Sequence, residues 1–137
     1  MLIIKESDNF LISNNERIWY TYLKVVIMKG IKSIIYEMNG QTLVIDLCEK
    51  SQMKYKNISR IIREEKAFEY LKNLFCIIDT WNEEYMDTKT IDGCYWKLSI
   101  LYSNGNKKEY RGKASYPNNF EAFERLNQKL IDEVQNG

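Results

Sequence analysis

Ile34-Ile35-Tyr36-Glu37-Met38-Asn39-Gly40-Gln41-Thr42-Leu43-Val44-Ile45 is the stretch on which the fold turns. Asn-Gly between two apolar runs signals a hairpin, because a type I′ turn needs two successive residues that tolerate positive φ. With Asn39-Gly40 as the turn, Met38 faces Gln41, Tyr36 faces Leu43, Ile34 faces Ile45 and Lys32 faces Leu47. One face then gathers Ile34, Tyr36, Leu43, Ile45 and Leu47, and the other holds the pairs Ser33–Asp46 and Ile35–Val44. Side chains alternate with period two, so burying the first face fixes this register.

The segment before the hairpin extends the same pattern. Lys29-Gly30 reads as a preceding turn, which sets Val25 beside Ile34 and Leu23 beside Tyr36 and brings Trp19 and Ile27 to the same face. Residues 17–48 are thus expected as a three-strand antiparallel meander.

Beyond the hairpin, Ile58, Ile61, Ile62, Phe68, Leu71, Phe75 and Ile78 recur at three- and four-residue spacing, as on one side of a helix over 58–78. Asn57 or Ser59 is then its cap. In the other reading, Tyr55 to Ile62 continue as strand and the helix starts at Glu64. Residues 79–93 form a polar, acidic connection ending in Asp92-Gly93. Cys94, Trp96, Leu98, Ile100 and Tyr102 then alternate as one face of a strand. Ser103-Asn104-Gly105 makes the next turn; a three-residue loop opposes Leu98 with Tyr110 and leaves only Lys108 on the apolar face. Phe120, Phe123, Leu126, Leu130, Ile131 and Val134 line a last helix from about Asn119.

The elements add up to an α+β two-layer sandwich, an antiparallel sheet of a three-strand meander plus a hairpin, covered on one face by two helices. Tight hairpins argue against a parallel sheet. With 137 residues, one proline (Pro117) and no linker, the chain is expected as a single domain, 1–137.

Composition narrows the chemistry. There is no histidine, which removes Ser-His-Asp and Cys-His catalysis and histidine-ligated zinc. Neither GxGxxG nor GxxxxGK[ST] occurs. Twenty basic against nineteen acidic side chains leave a net charge of +1, without the basic excess of a duplex binder. The cysteines, Cys48, Cys76 and Cys94, form no CxxC pair and each read as small core residues, which points to a reducing compartment. The run from Met1 to Asp8 is too short for a signal peptide, and no stretch approaches the roughly 20 apolar residues of a membrane span. The expectation is a cytoplasmic protein that is not an enzyme and uses no cofactor or metal.

Three groups of residues can still carry function. Asp79, Glu83, Glu84, Asp87 and Asp92 make the acidic connection; its spacing is not that of an EF-hand, and a solvated loop is the simpler account. Trp81 and Tyr85 within it, flanked by carboxylates, resemble the aromatic anchors of protein interfaces, whereas Trp96 fits the strand's apolar face. Lys50, Lys54, Lys56, Arg60 and Arg63 around Tyr55, and Lys107, Lys108, Arg111 and Lys113 before Tyr116, suit phosphate contact with base stacking or a charged strand edge. Cys94, after Asp92-Gly93, has no histidine to activate it as a nucleophile.

The string Trp81-x-x-Glu84-Tyr85-x-Asp87, Asp92-Gly93-x-x-Trp96-x-Leu98-x-Ile100, Gly105, Tyr110-x-Gly112 and Tyr116-Pro117-x-Asn119-Phe120-x-x-Phe123 resembles a pattern in small uncharacterised bacterial proteins. The resemblance covers about residues 81–123 and implies a bacterial or phage origin; it brings no activity with it. In the Tyr116–Phe120 step, Pro117 holds Tyr116 extended and Asn118 or Asn119 can cap the helix. The resulting functional expectation is a protein-binding module of the immunity or inhibitor type, with Trp81, Glu83, Glu84, Tyr85 and Asp87 as binding residues. A nucleic-acid-associated module using Lys54, Tyr55, Arg60 and Arg111 comes second, and a metal-dependent enzyme third.

Overall fold

The computed structural model describes residues 14–89 and 93–136. The readings placed on Met1–Asp8 and on Asp92 lie outside the described residues, as does the side chain of Trp19. The chain runs α1 (Asn14–Gly30), β1 (Ile31–Met38), β2 (Gln41–Asp46), β3 (Gln52–Tyr55), β4 (Ile58–Ile61), α2 (Glu64–Ile78), β5 (Glu84–Met86), β6 (Tyr95–Tyr102), β7 (Lys107–Lys113) and α3 (Phe120–Asn136). The seven strands make one open sheet in the order β4-β3-β2-β1-β6-β7-β5.

Both tight hairpins have the register that alternation demands. Met38 pairs with Gln41, Tyr36 with Leu43 and Ile34 with Ile45. Asn39 and Gly40 turn at φ +50° and +83°. The Leu47 amide donates to the Lys32 carbonyl at 2.9 Å, one step beyond the ladder. In β6–β7, Gly105 sits at φ +92° and Leu98 opposes Tyr110, with Lys108 opposite Ile100.

The expected first strand is a helix. Residues 17–28 are apolar almost throughout, so they satisfy an alternating pattern without being specified by it. Lys24, Ile27 and Met28, at helical spacing, are the partly buried positions of α1, while Leu23 and Val25 are exposed. Gly30 is no hairpin turn: α1 ends there and the chain enters β1 directly. The neighbour of β1 is instead β6, with Ile34 against Ile100 and Tyr36 against Leu98. Lys32 is an extra residue in this pairing, because Ile31 opposes Tyr102 and Ser33 already opposes Leu101.

Two further corrections widen the sheet. Residues 52–61 form a hairpin, β3–β4, turning at Lys56 with φ +55°. Strand continues past Tyr55 and α2 begins at Glu64, so Asn57 and Ser59 cap nothing. Arg63 occupies the N-cap position without a side-chain capping bond. Within the acidic connection, β5 pairs with β7 in parallel, Glu84 with Arg111 and Met86 with Lys113. That three-residue pair departs from the antiparallel expectation, which all other described strand pairs follow.

One face of the sheet is sealed. Ile34, Tyr36, Leu43, Ile45, Met53, Trp96, Leu98 and Ile100 are buried beneath Leu71, Leu74 and Ile78 of α2 and Phe123, Leu130 and Ile131 of α3. Ile27 and Met28 bring α1 to the same core, so three helices, not two, lie on this side. Each such side chain contributes about 1.5–3 kcal/mol on burial. The cysteines are not core residues: Cys48, Cys76 and Cys94 are free and exposed. Among the described residues no helix is long and apolar enough to cross a membrane.

Candidate functional site

The candidate anchors at residues 81–87 divide between core and rim. Trp81 is buried, meets Trp96, Tyr110 and Phe123 edge-on, and stacks on Phe120 at 5.9 Å. Its Nε1 donates to Asn119 Oδ1 at 2.5 Å, and Asn119 Nδ2 donates to the Ile77 carbonyl at 2.6 Å. Asn119 therefore ties α3 to the end of α2 with its side chain instead of capping α3. Tyr85 is half-buried with its ring against Trp96, and its hydroxyl accepts from the Asn82 amide at 2.7 Å. Asp87 Oδ1 accepts from the Lys89 amide at 2.9 Å in a local turn.

Glu83 and Glu84 turn to the sheet. Glu83 contacts Lys108 Nζ at 2.6 Å, and Glu84 contacts Arg111 Nη2 at 2.6 Å. The bond and charge of Lys108 lower the carboxyl of Glu83, and those of Glu83 in turn raise Lys108. Among the described residues no group of three or more histidine, cysteine or acidic side chains converges as a metal would require.

The basic groups are likewise sorted. In the second, Lys107 pairs with Glu109, Lys108 with Glu83 and Arg111 with Glu84. In the first, Lys54 and Arg60 project to opposite faces of the sheet: Lys54 opposes Val44, whereas Arg60 opposes the buried Met53. They do not build one surface. Cys94 Sγ accepts from Asn39 Nδ2 at 3.3 Å.

The face of the sheet turned away from the helices was not singled out by the sequence. It carries Ile35, Glu37, Thr42, Val44, Lys54, Tyr95, Lys97, Ser99, Leu101, Glu109, Arg111 and Lys113, joined row by row across the strands. None of these belongs to the helix-covered core. At the end of this face nearest the β1–β2 turn lies an open groove of about 660 Å³, lined by Glu37, Asn39, Thr42, Met86, Lys97 and Arg111 among others. Tyr95, also in its lining, is 60% exposed, a large value for an aromatic side chain on a strand; Lys113 Nζ lies 5.5 Å from its ring centre. Two smaller hollows are lined by residues of the helix side, one of about 100 Å³ beside Tyr36, Glu124 and Asn127 and one of about 60 Å³ between α2 and α3.

No family model, curated protein or solved structure matches the chain. The site therefore rests on its own geometry. The string from Trp81 to Phe123 is largely architecture in that geometry. Trp96 Nε1 donates to the Ser115 carbonyl at 2.9 Å, directly over Gly112, and Tyr116 and Phe120 pack on the Trp96 ring. Alternation did reveal which residues of β6 and β7 point away from Trp96 and Tyr110. The expectation of helices on one face of the sheet already left these residues on the uncovered side; what it did not show was a groove or an exposed Tyr95 among them.

Proposed function

We propose that the protein is a non-enzymatic protein-binding module of the immunity or inhibitor type, from a bacterium or phage, which holds its partner on the uncovered face of the sheet. The observation that carries this reading is the groove of about 660 Å³ beside exposed Tyr95 and Met86 on a face that no helix covers among the described residues. Large exposed side chains beside a concavity and ringed by charge are what protein interfaces use as anchors. Of the five residues first expected to bind, Glu84 reaches this face through Arg111, whereas Glu83 pairs with Lys108, which stands opposite Ile100 on the helix side. Trp81 supports the face from behind.

The test is affinity capture from the source organism with the wild-type chain, Tyr95→Ala, Met86→Asp and, as a control on the outer surface of α3, Gln128→Ala. The expected result is one protein retained by wild type and Gln128→Ala and lost from the two open-face variants. Retention by all four, or loss from the control as well, ends the reading. Nuclease-sensitive material in place of a protein would transfer it to nucleic acid.

A further inference from the structure

Pairing across the sheet places two cations side by side in the lining of the groove and a third next to it. Lys97 and Arg111 stand directly opposite each other on β6 and β7. Like charges in that relation repel. In the next row Lys113 opposes Tyr95 on one side and Met86 on the other. Three cations therefore occupy adjacent positions. Among the described residues two carboxylates are ion-paired with them, Glu37 with Lys97 at 3.3 Å and Glu84 with Arg111 at 2.6 Å, while Glu109, itself paired with Lys107, also feels the charges of Lys97 and Arg111. Lys113 has no ion pair among the described residues and rests over the Tyr95 ring.

The pairs already present are easily exchanged. All four side chains are about half exposed, and such pairs contribute little net stability, so an incoming carboxylate can replace either glutamate. Arg111 makes one hydrogen bond to Glu84, although a guanidinium has five donors. A carboxylate seated between Lys97 and Arg111 would use the free donors and remove the repulsion between the two cations.

We propose that this groove binds an acidic segment of a protein partner, with one carboxylate between Lys97 and Arg111 and a neighbouring apolar side chain against Tyr95 and Met86. The inference rests on the protein-binding reading of the same face and adds the chemistry of the partner. Charge complementarity argues for the carboxylate, and the exposed Tyr95 and Met86 argue for an apolar neighbour beside it. Glu37, Glu84 and Glu109 fringe the cations and would oppose the continuous phosphates of a nucleic-acid strand.

Fluorescence anisotropy with a fluorescein-labelled peptide of alternating glutamate and leucine tests this, with circular dichroism to verify that each variant is folded. The wild-type chain is expected to bind in low salt and to release the peptide as salt rises. Lys97→Gln and Arg111→Gln should each weaken binding about tenfold, a loss of one charge-assisted contact. Tyr95→Ala should also weaken it, and Lys54→Gln, on the same face but on β3, should leave it unchanged. Absence of binding in low salt, equal binding by the Lys97→Gln/Arg111→Gln double variant, or tighter binding of labelled oligo-thymidine than of the peptide overturns the proposal. If the peptide fails while capture of a cellular protein still depends on Tyr95, the acidic chemistry is wrong and the protein-binding reading survives. If that dependence is absent too, both fail.

Discussion

At the scale of single residues, two glycines show how differently one residue type can be required. Gly112 opposes Trp96, and a Cβ placed there would lie 2.2 Å from Trp96 Nε1 and 2.6 Å from the Ser115 carbonyl oxygen. Neither can retreat without breaking the bond between them. Gly112→Ala is expected to cost about 2–3 kcal/mol, an overpacking penalty, read as a lower urea midpoint. Gly40 has open space around its Cα and needs only its φ of +83°, so Gly40→Ala should cost about 1 kcal/mol. Two buried tyrosines supply a pH signature. Burial first, and then Glu124, which accepts the Tyr36 hydroxyl at 2.6 Å, hold Tyr36 far above the ordinary tyrosine range; burial does the same to Tyr70. Their folded pKa values are raised, so their contribution is complete below the unfolded value near 10 and is lost as pH rises beyond it. Stability should fall by about 1.4 kcal/mol per pH unit for each tyrosine above that point. Urea midpoints taken across the alkaline range check this, and Tyr36→Phe should remove its share of the slope.

At the scale of elements, the contact between α2 and α3 has one polar pair in its interior. The Tyr70 hydroxyl donates to Asn127 Oδ1 at 2.6 Å, while Asn127 Nδ2 is buried without a hydrogen-bond partner among the described residues. Truncating either side alone strands the other, at a cost of about 1–3 kcal/mol. Replacing both, as Tyr70→Phe with Asn127→Leu, should be neutral or stabilising, and a double-mutant cycle in urea measures the coupling. No period in the sequence announces that pair. The elements themselves were legible in proportion to how many constraints each segment carried. β1–β2 and β6–β7 have a turn residue at positive φ and an alternating face, and their registers follow from those two facts. α3 has a clean stripe from Phe120 to Val134. Residues 17–28 carry neither a turn nor a polar face, so strand and helix fit them equally and only the partner of β1 decides. β5 is three residues long and pairs with β7 in parallel, a relation that local sequence does not encode. The cysteines misled for separate reasons: Cys76 lies on the exposed side of α2, while Cys48 and Cys94 fall outside the strands, beyond the end of β2 and just before β6.

At the scale of the whole molecule, the proposed function puts stability and recognition on opposite faces of the sheet, and the separation is testable without knowing a partner. The helix side holds the fully buried Ile34, Ile45, Leu98 and Ile100. Leu98→Ala should therefore cost about 2–5 kcal/mol, the lost transfer energy plus the cavity left behind. Tyr95, next to Trp96 on the same strand, points away from that core and is mostly exposed. Met86 sits on the short edge strand and is exposed. Lys97 makes a half-exposed pair with Glu37. Surface changes of this kind stay within about 0.5 kcal/mol. Tyr95→Ala, Met86→Ala and Lys97→Gln should thus share the wild-type urea midpoint, while any one of them that touches a partner loses affinity. A midpoint for Tyr95→Ala as low as that for Leu98→Ala would mean that the outer face carries structural load, and a loss of binding in that variant would then report unfolding. Equal midpoints make binding loss in these variants a direct measure of contact, because residues facing opposite ways along β6 are separated by the sheet itself.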